Sequence, residues 1–117
     1  MGSASADKRK FPRVNTRFVV SYCPLERQDA LDISQTKNLS IGGMAITTSA
    51  QFQPDAKLIM KVRVPSAREP VEIIGRVIES SPMGKMAVYN TRVEFLAIDE
   101  KYRQAIIDTI SHNLKKT

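Results

Sequence analysis

The sequence is poor in several residue types, and each shortage argues against a class of protein. A single cysteine, Cys23, excludes an intrachain disulfide and any metal cluster built on several thiolates. The one histidine, His112, lies near the C-terminus, and no pair of carboxylates has a spacing that indicates a catalytic cleft. We therefore predict a protein that is not an enzyme, uses no metal or other cofactor, and resides in the cytoplasm.

Aromatic residues and long apolar stretches are also scarce. Tryptophan is absent, and the chain has only four phenylalanines and three tyrosines, so a stacking platform for single-stranded nucleic acid is not expected. No apolar stretch reaches the length of about 18 residues that a membrane-spanning helix needs. The N-terminal MGSASADK also lacks the apolar region of a signal peptide.

Positive charge is the compositional feature that stands out. The 117 residues, enough for one domain, include 18 lysines and arginines against 12 acidic residues, a net charge of +6. This balance favours an anionic ligand. Residues 1–7 are predicted to be disordered or a remnant of an expression vector, and residues 8–16 to form a flexible basic arm. Positive charge is concentrated there and just beyond, at Lys8, Arg9, Lys10, Arg13 and Arg17.

Alternation of apolar and polar residues predicts β-structure after the arm. In the clearest segment Leu58, Met60, Val62 and Val64 share one face. Gly75 is expected to mark a bulge or a bend. The predicted strands are residues 17–23, 31–37, 44–48, 57–64, 71–80 and 86–95.

The period changes to that of a helix near the C-terminus. Asp99 is a plausible N-cap, and Tyr102, Ile106, Ile110 and Leu114 recur every four residues. We predict an all-β fold with a C-terminal helix, in which an antiparallel barrel or sandwich over residues 17–96 is covered by a helix over residues 99–115.

Between the second and third predicted strands lies the segment KNLSIGGMAI, residues 37–46. The side chains of Asn38 and Ser40 can bond to nearby backbone. Gly42 and Gly43 permit positive φ and leave no Cβ in the way of a ligand. Taken alone, this pattern is typical of a well-made turn.

Together with the arm, the turn resembles a known family. RKFPR at residues 9–13, followed by NLSIGG at residues 38–43, resembles the RxxxR and [D/N]xSxxG signatures of the PilZ domain, a bacterial receptor for cyclic di-GMP. The resemblance extends over residues 8–114 and implies a six-stranded antiparallel β-barrel, the PilZ-like split barrel, in a single domain over residues 8–117. RVNTR at residues 13–17 also matches RxxxR, but the family's loop has a proline before its second arginine, which favours Arg9 and Arg13.

The resemblance also implies roles for individual residues. Arg9 and Arg13 would hold the phosphates and guanines of cyclic di-GMP, and Gly43 would let the ligand lie close to the backbone. Asn38 and Ser40 would bond a guanine edge or a phosphate. The secondary candidates are Lys8, Lys10 and Gly42.

Two departures from the family pattern are visible. Asn38 stands where aspartate is common, and its amide offers no full negative charge to the donor edge of guanine, so we expect a lower affinity. Thr91 stands where the family often has glycine, which we interpret as a local packing variation.

The predicted function is a second-messenger receptor whose arm folds across the turn when cyclic di-GMP binds, and which then signals to an unknown protein partner. Two alternatives stay open. One is a PilZ-like interaction module that binds no ligand. The other is a small basic barrel that binds nucleic acid, which the scarcity of aromatic residues disfavours.

Overall fold

The computed structural model describes residues 17–115, with side chains up to residue 112. The regular elements within these residues are short strands with alternating burial and one terminal helix. The strand at residues 57–62 shows the alternation, since Leu58, Met60 and Val62 are buried while Lys57 and Lys61 are exposed. The elements are β1 Val19–Pro24, β2 Asp32–Leu39, β3 Gly43–Thr48, β4 Lys57–Val62, β5 Val71–Pro82, β6 Tyr89–Ile98 and α1 Glu100–Lys115.

The six strands close into a barrel in the order β1-β2-β3-β6-β5-β4, with β4 pairing back onto β1. Every pairing is antiparallel. Closure matters because it gives each of these strands a partner on both sides and leaves no free edge. The predicted fold class, a six-stranded antiparallel barrel with a C-terminal helix, is confirmed. The fully buried apolar side chains inside it are Val20, Leu39, Ile46, Leu58, Met60, Val62, Val71, Ile73 and Val77.

The helix begins as predicted, with Asp99 as its cap. The amide of Lys101 donates to Asp99 Oδ1 at 3.1 Å, which satisfies one of the free donors of the first turn. Ile106 and Ile110 are buried and belong to the same apolar cluster as the barrel interior. The side chain of Leu114, the last member of the predicted stripe, lies outside the described residues.

Polar contacts fix the helix against the connection between β4 and β5. The Tyr102 hydroxyl donates to Glu69 at 2.6 Å, and the Thr109 hydroxyl donates to Ser66 at 3.3 Å. The helix therefore covers the barrel where this connection lies.

Strand boundaries differ from the predictions at the hairpins. The sixth strand was predicted to begin at residue 86, but β6 begins at Tyr89, because Met86 lies in the β5–β6 turn and is 67% exposed. That turn contains Gly84 at φ 58°. Pro24 was expected to follow the first strand, yet it belongs to β1 and pairs with Leu58.

Two unusual residues in the later strands have packing explanations. The register of β5 against β6 shifts between Ile74 and Gly75, so the predicted bulge is confirmed. A Cβ at Gly75 would collide with the side chains of Val93 and Met60. Thr91 is buried and is linked to the hydroxyls of Thr48 at 2.7 Å and Ser80 at 2.9 Å.

Candidate functional site

A bulge in β2 determines which residues of the glycine-rich segment face outward. Thr36 and Leu39 are both buried although they are three residues apart, which regular alternation does not allow. The β2–β3 register shifts between Thr36 and Asn38, and the extra residue brings Leu39 back to the interior. Asn38, half-buried, is thereby turned to the outer face. It lies in β2 opposite Ala45, and not in the turn where it was predicted.

The Ser40 side chain organises the turn between β2 and β3. Its Oγ accepts hydrogen bonds from the amides of Gly42 and Gly43, both at 3.2 Å, and donates to the Gly43 carbonyl, also at 3.2 Å. The Ser40 amide donates to the same carbonyl at 2.9 Å. Ser40 is only 6% exposed, and without ligand its hydroxyl holds the shape of the turn.

The glycines act differently from the prediction. Neither Gly42 nor Gly43 has a positive φ, and Gly84 is the one glycine in residues 17–115 that does. Gly43 is needed because a Cβ there would collide with the backbone carbonyl oxygen of Val93. The carbonyl of Gly42 in turn accepts from the Phe95 amide at 2.9 Å. The turn is thus held tightly against β6.

Residues 38–43, which we call the corner, contain no ionisable side chain. Lys37 of β2 directly precedes it, and the other charges described beside it come from β5 and β6. Glu94 pairs in register with Gly43 and accepts from Arg76 Nε at 3.0 Å and Nη2 at 2.7 Å. Arg76 also pairs with Asp55, and the hydrogen bonds to Glu94, followed by those to Asp55, raise the pKa of Arg76.

The pKa shifts among the tyrosines and acids of the barrel lie away from the corner. Tyr22 donates to Asp32 at 3.0 Å, and Ser49 donates to the same carboxylate at 2.6 Å. Burial is the main cause that raises the pKa of Tyr22, whereas the Ser49 hydrogen bond is the main cause that lowers that of Asp32. This cluster lies where β1 meets β2 at the opposite barrel end, so it contributes to the fold and not to the corner.

The chain enters the barrel beside the corner. The amide of Phe18 donates to the hydroxyl of Thr36 at 3.0 Å, and the amide of Thr36 donates to the Phe18 carbonyl at 2.8 Å. Because β1 and β2 are antiparallel, with Val19 opposite Gln35, the chain before Phe18 leads toward Asn38. Four predicted residues, Lys8, Arg9, Lys10 and Arg13, lie outside the described residues.

A shallow depression of about 420 Å³ lies on the outer face of β1, β2 and β3. The sequence did not indicate it, because its wall combines outward residues from three strands whose pairing is not visible in the sequence. Arg17, which follows the arm, contributes to this wall. The remaining lining residues are Val19, Ile33, Ser34, Gln35 and Thr47.

Metal-ligand groups and membrane-spanning helices are not found in the described part of the chain. No group of three or more histidine, cysteine, aspartate or glutamate residues there is placed to hold a metal ion. Among its helices, none has the length and apolar character required to cross a membrane. Cys23 is a free, buried thiol, and His112 is exposed.

Comparison with known sequences identifies the family. The profile described as PilZ domain matches residues 7–111. The six-stranded barrel and its C-terminal helix agree with this match, and the chain belongs to the PilZ domain family. No protein among those with curated descriptions matches it.

Solved structures with the same fold have low sequence identity to this chain. Bacillus subtilis MotI/DgrA, an inhibitor of motility, superposes with a TM-score of 0.79 at 18% identity, over 95% of this chain and 53% of its own. The PilZ domain of Escherichia coli YcgR, solved with c-di-GMP, gives 0.67 at 13%, over 94% of both chains. The PilZ domain of CeSA from a cellulose-synthesizing bacterium gives 0.63 at 14%, over 86% of this chain and 96% of its own. The chain thus spans about half the length of MotI.

Replacing Gly43→Ala tests the close packing of the corner. The new Cβ would collide with a backbone carbonyl in β6, so we expect a loss of about 1–3 kcal/mol in the free energy of unfolding, measured by denaturant titration. Gly84→Ala is the control, since its Cβ meets no atom within 4 Å and only its positive φ is costly, by about 1 kcal/mol. A Gly43→Ala protein more stable than Gly84→Ala would contradict this account.

Proposed function

We propose that this PilZ domain is a non-catalytic receptor for cyclic di-GMP, which it holds between the arm, residues 8–16, and the corner. The observation that carries the proposal is the paired hydrogen bonding of Phe18 with Thr36. It directs the chain that bears Arg9 and Arg13 toward Asn38. From Phe18, Arg13 is five residues away, a span of at most about 17 Å, so its guanidinium can reach a ligand lying on the corner.

The arm and the corner offer complementary chemistry to the ligand. Arginine guanidiniums form bidentate, charge-assisted bonds to phosphates and to the acceptor edge of guanine, which suits Arg9 and Arg13 to a dianionic guanine dinucleotide. Lys8 and Lys10 add attraction at longer range. Asn38 supplies a neutral amide that both donates and accepts. The ligand thus forms neutral hydrogen bonds with the corner and charge-assisted hydrogen bonds with the arm.

Within the corner, Ser40 and Gly43 have distinct tasks. Gly43 lets the ligand approach the backbone closely, with Gly42 beside it. Ser40 bonds the ligand by exchanging one of its hydrogen bonds within the turn, and in the absence of ligand it keeps the turn in shape. The corner is therefore built before the ligand arrives, which limits the entropy lost on binding.

The output of the receptor is a new surface that forms when the arm closes over the ligand, and a downstream protein partner reads that surface. The buried thiol of Cys23 is compatible with the cytoplasmic location predicted above. A pull-down with and without cyclic di-GMP tests the partner proposal, and identical sets of captured proteins would contradict it.

The described surface gives little support to nucleic-acid binding. No aromatic side chain within residues 17–112 is fully exposed, and Phe52, Tyr89, Phe95 and Tyr102 are half-buried, so bases would find no open stacking platform there. A barrel that binds oligonucleotides would show a steep salt dependence with any sequence. An interaction module without a ligand would show no heat with cyclic di-GMP.

Calorimetric titration with cyclic di-GMP tests the proposal and the assignment of the arm arginines. We expect a dissociation constant near micromolar, about 8 kcal/mol, for the wild-type protein. Arg9→Ala and Arg13→Ala should each abolish measurable binding, because each removes a charge-assisted contact with the ligand. Arg27→Ala is the matched control, since Arg27 is an exposed arginine in the β1–β2 connection, at the opposite end of the barrel from the corner.

Arg17→Ala distinguishes the two possible RxxxR alignments. It should bind within a few-fold of wild type if Arg9 and Arg13 form the pair. A lack of heat for the wild-type protein at high micromolar ligand would rule out the receptor proposal. Normal binding by Arg9→Ala together with loss in Arg17→Ala would show instead that the pair is Arg13 and Arg17.

The substitution Asn38→Asp tests the recognition of guanine by the corner. A carboxylate accepts two hydrogen bonds from the guanine donor edge with full negative charge, so we expect the dissociation constant to fall about tenfold. Gln28→Glu, the same chemical change at an exposed position between β1 and β2, should leave it unchanged. Weaker binding by Asn38→Asp would mean that position 38 faces phosphate and not guanine.

A further inference from the structure

Three residues on three neighbouring strands form a row across the outer face of the barrel. Asn38 in β2 pairs in register with Ala45 in β3, and Ala45 pairs in register with Arg92 in β6. The side chains of directly paired residues project from the same face of a sheet. The adjacent residues Met44 and Val93 are buried in the core, so Asn38, Ala45 and Arg92 lie on the outer face, where Ala45 itself is only 5% exposed.

The middle of this row is low because alanine has only a methyl side chain. Adjacent strands are about 4.8 Å apart, which puts the backbones of Asn38 and Arg92 about 10 Å from each other with only Ala45 between them. A ligand seated on Asn38 and extending across Ala45 comes within reach of the long Arg92 side chain. The methyl group of Ala45 is too small to separate the corner from β6, but Ala45 is covered in the unliganded protein, so the groups over it must move aside for the ligand.

Arg92 is held less firmly than the other arginine on this face. Its Nη1 donates to Glu79 Oε1 at 3.1 Å, in an ion pair whose side chains are 44% and 55% exposed. Pairs this exposed contribute little to stability. Arg76, by contrast, is bound by both Glu94 and Asp55. An arriving anion therefore competes with one exposed carboxylate for Arg92 and with two for Arg76.

We propose that Arg92 is a further ligand-binding residue, which leaves Glu79 and forms a bidentate contact with a phosphate of the bound dinucleotide. This inference rests on the proposed function and adds a cation from the barrel wall to those of the arm. Guanidinium and phosphate match in geometry as well as charge. Arg92 thereby fixes how far the ligand extends from the corner toward β6.

Calorimetric titration of cyclic di-GMP into three arginine variants tests the contact. Arg92→Ala should raise the dissociation constant about tenfold or more. Arg92→Lys keeps the charge but not the bidentate geometry, and should recover only part of that loss. Arg27→Ala is the matched control, because Arg27 also forms an exposed ion pair, with Asp29 at 3.6 Å, and should bind as wild type does. Circular dichroism verifies that all variants are folded.

A substitution of Glu79, the carboxylate that pairs with Arg92, tests the same contact by an expected gain in affinity. Glu79→Gln removes the competitor of the phosphate and should lower the dissociation constant severalfold, an effect that should vanish in the Glu79→Gln, Arg92→Ala double variant.

If the wild-type protein binds but Arg92→Ala matches Arg27→Ala, the Arg92 contact is wrong while the receptor proposal stands. Full affinity in Arg92→Lys would also overturn the bidentate contact. A wild-type protein that does not bind defeats the receptor proposal itself.

Discussion

The candidate site depends on one backbone irregularity, the bulge in β2 between Thr36 and Asn38. Without the extra residue, Leu39 would leave the core and Asn38 would turn inward, because a shift of one residue exchanges the two faces of a strand. With it, Leu39 is fully buried and Asn38 stays at the surface. The apolar core thus determines the bulge, and the bulge determines which polar group the corner presents.

The same region also joins the arm to the barrel. Thr36, at the start of the bulge, exchanges two hydrogen bonds with Phe18, whose side chain is buried in the core. The chain that carries the basic residues is therefore anchored next to the corner by barrel packing. On the other side, the close approach of Gly43 to Val93 brings β6, and with it Arg92, next to the corner. Three separate stretches of sequence converge there because of strand pairing.

Local periodicity was enough to predict the strands and the helix, since the burial of Leu58, Met60 and Val62 and the Asp99 cap follow from alternation and capping. Features that depend on pairing between distant strands could not be predicted from the sequence. Gly43 illustrates this, because its sequence context cannot distinguish a glycine needed for φ from one needed for the absence of a Cβ.

Arg92 was not identified as a candidate from the sequence, because its place beside the corner also depends on the pairing of distant strands. Nothing in the sequence near it shows that Ala45 is its neighbour. Asn38 was placed in the turn because a bulge leaves no local signature in a strand of mixed polarity.

The central claim is that the corner and β6 form one binding surface for cyclic di-GMP. Amide chemical shifts followed by two-dimensional NMR during a titration with cyclic di-GMP test it most directly. The account predicts large shifts at residues 38–43, at Ala45 and at Arg92, with little change at Lys61 in β4 or at Arg27. Shifts confined to β4, or absent from the corner at saturation, would contradict it.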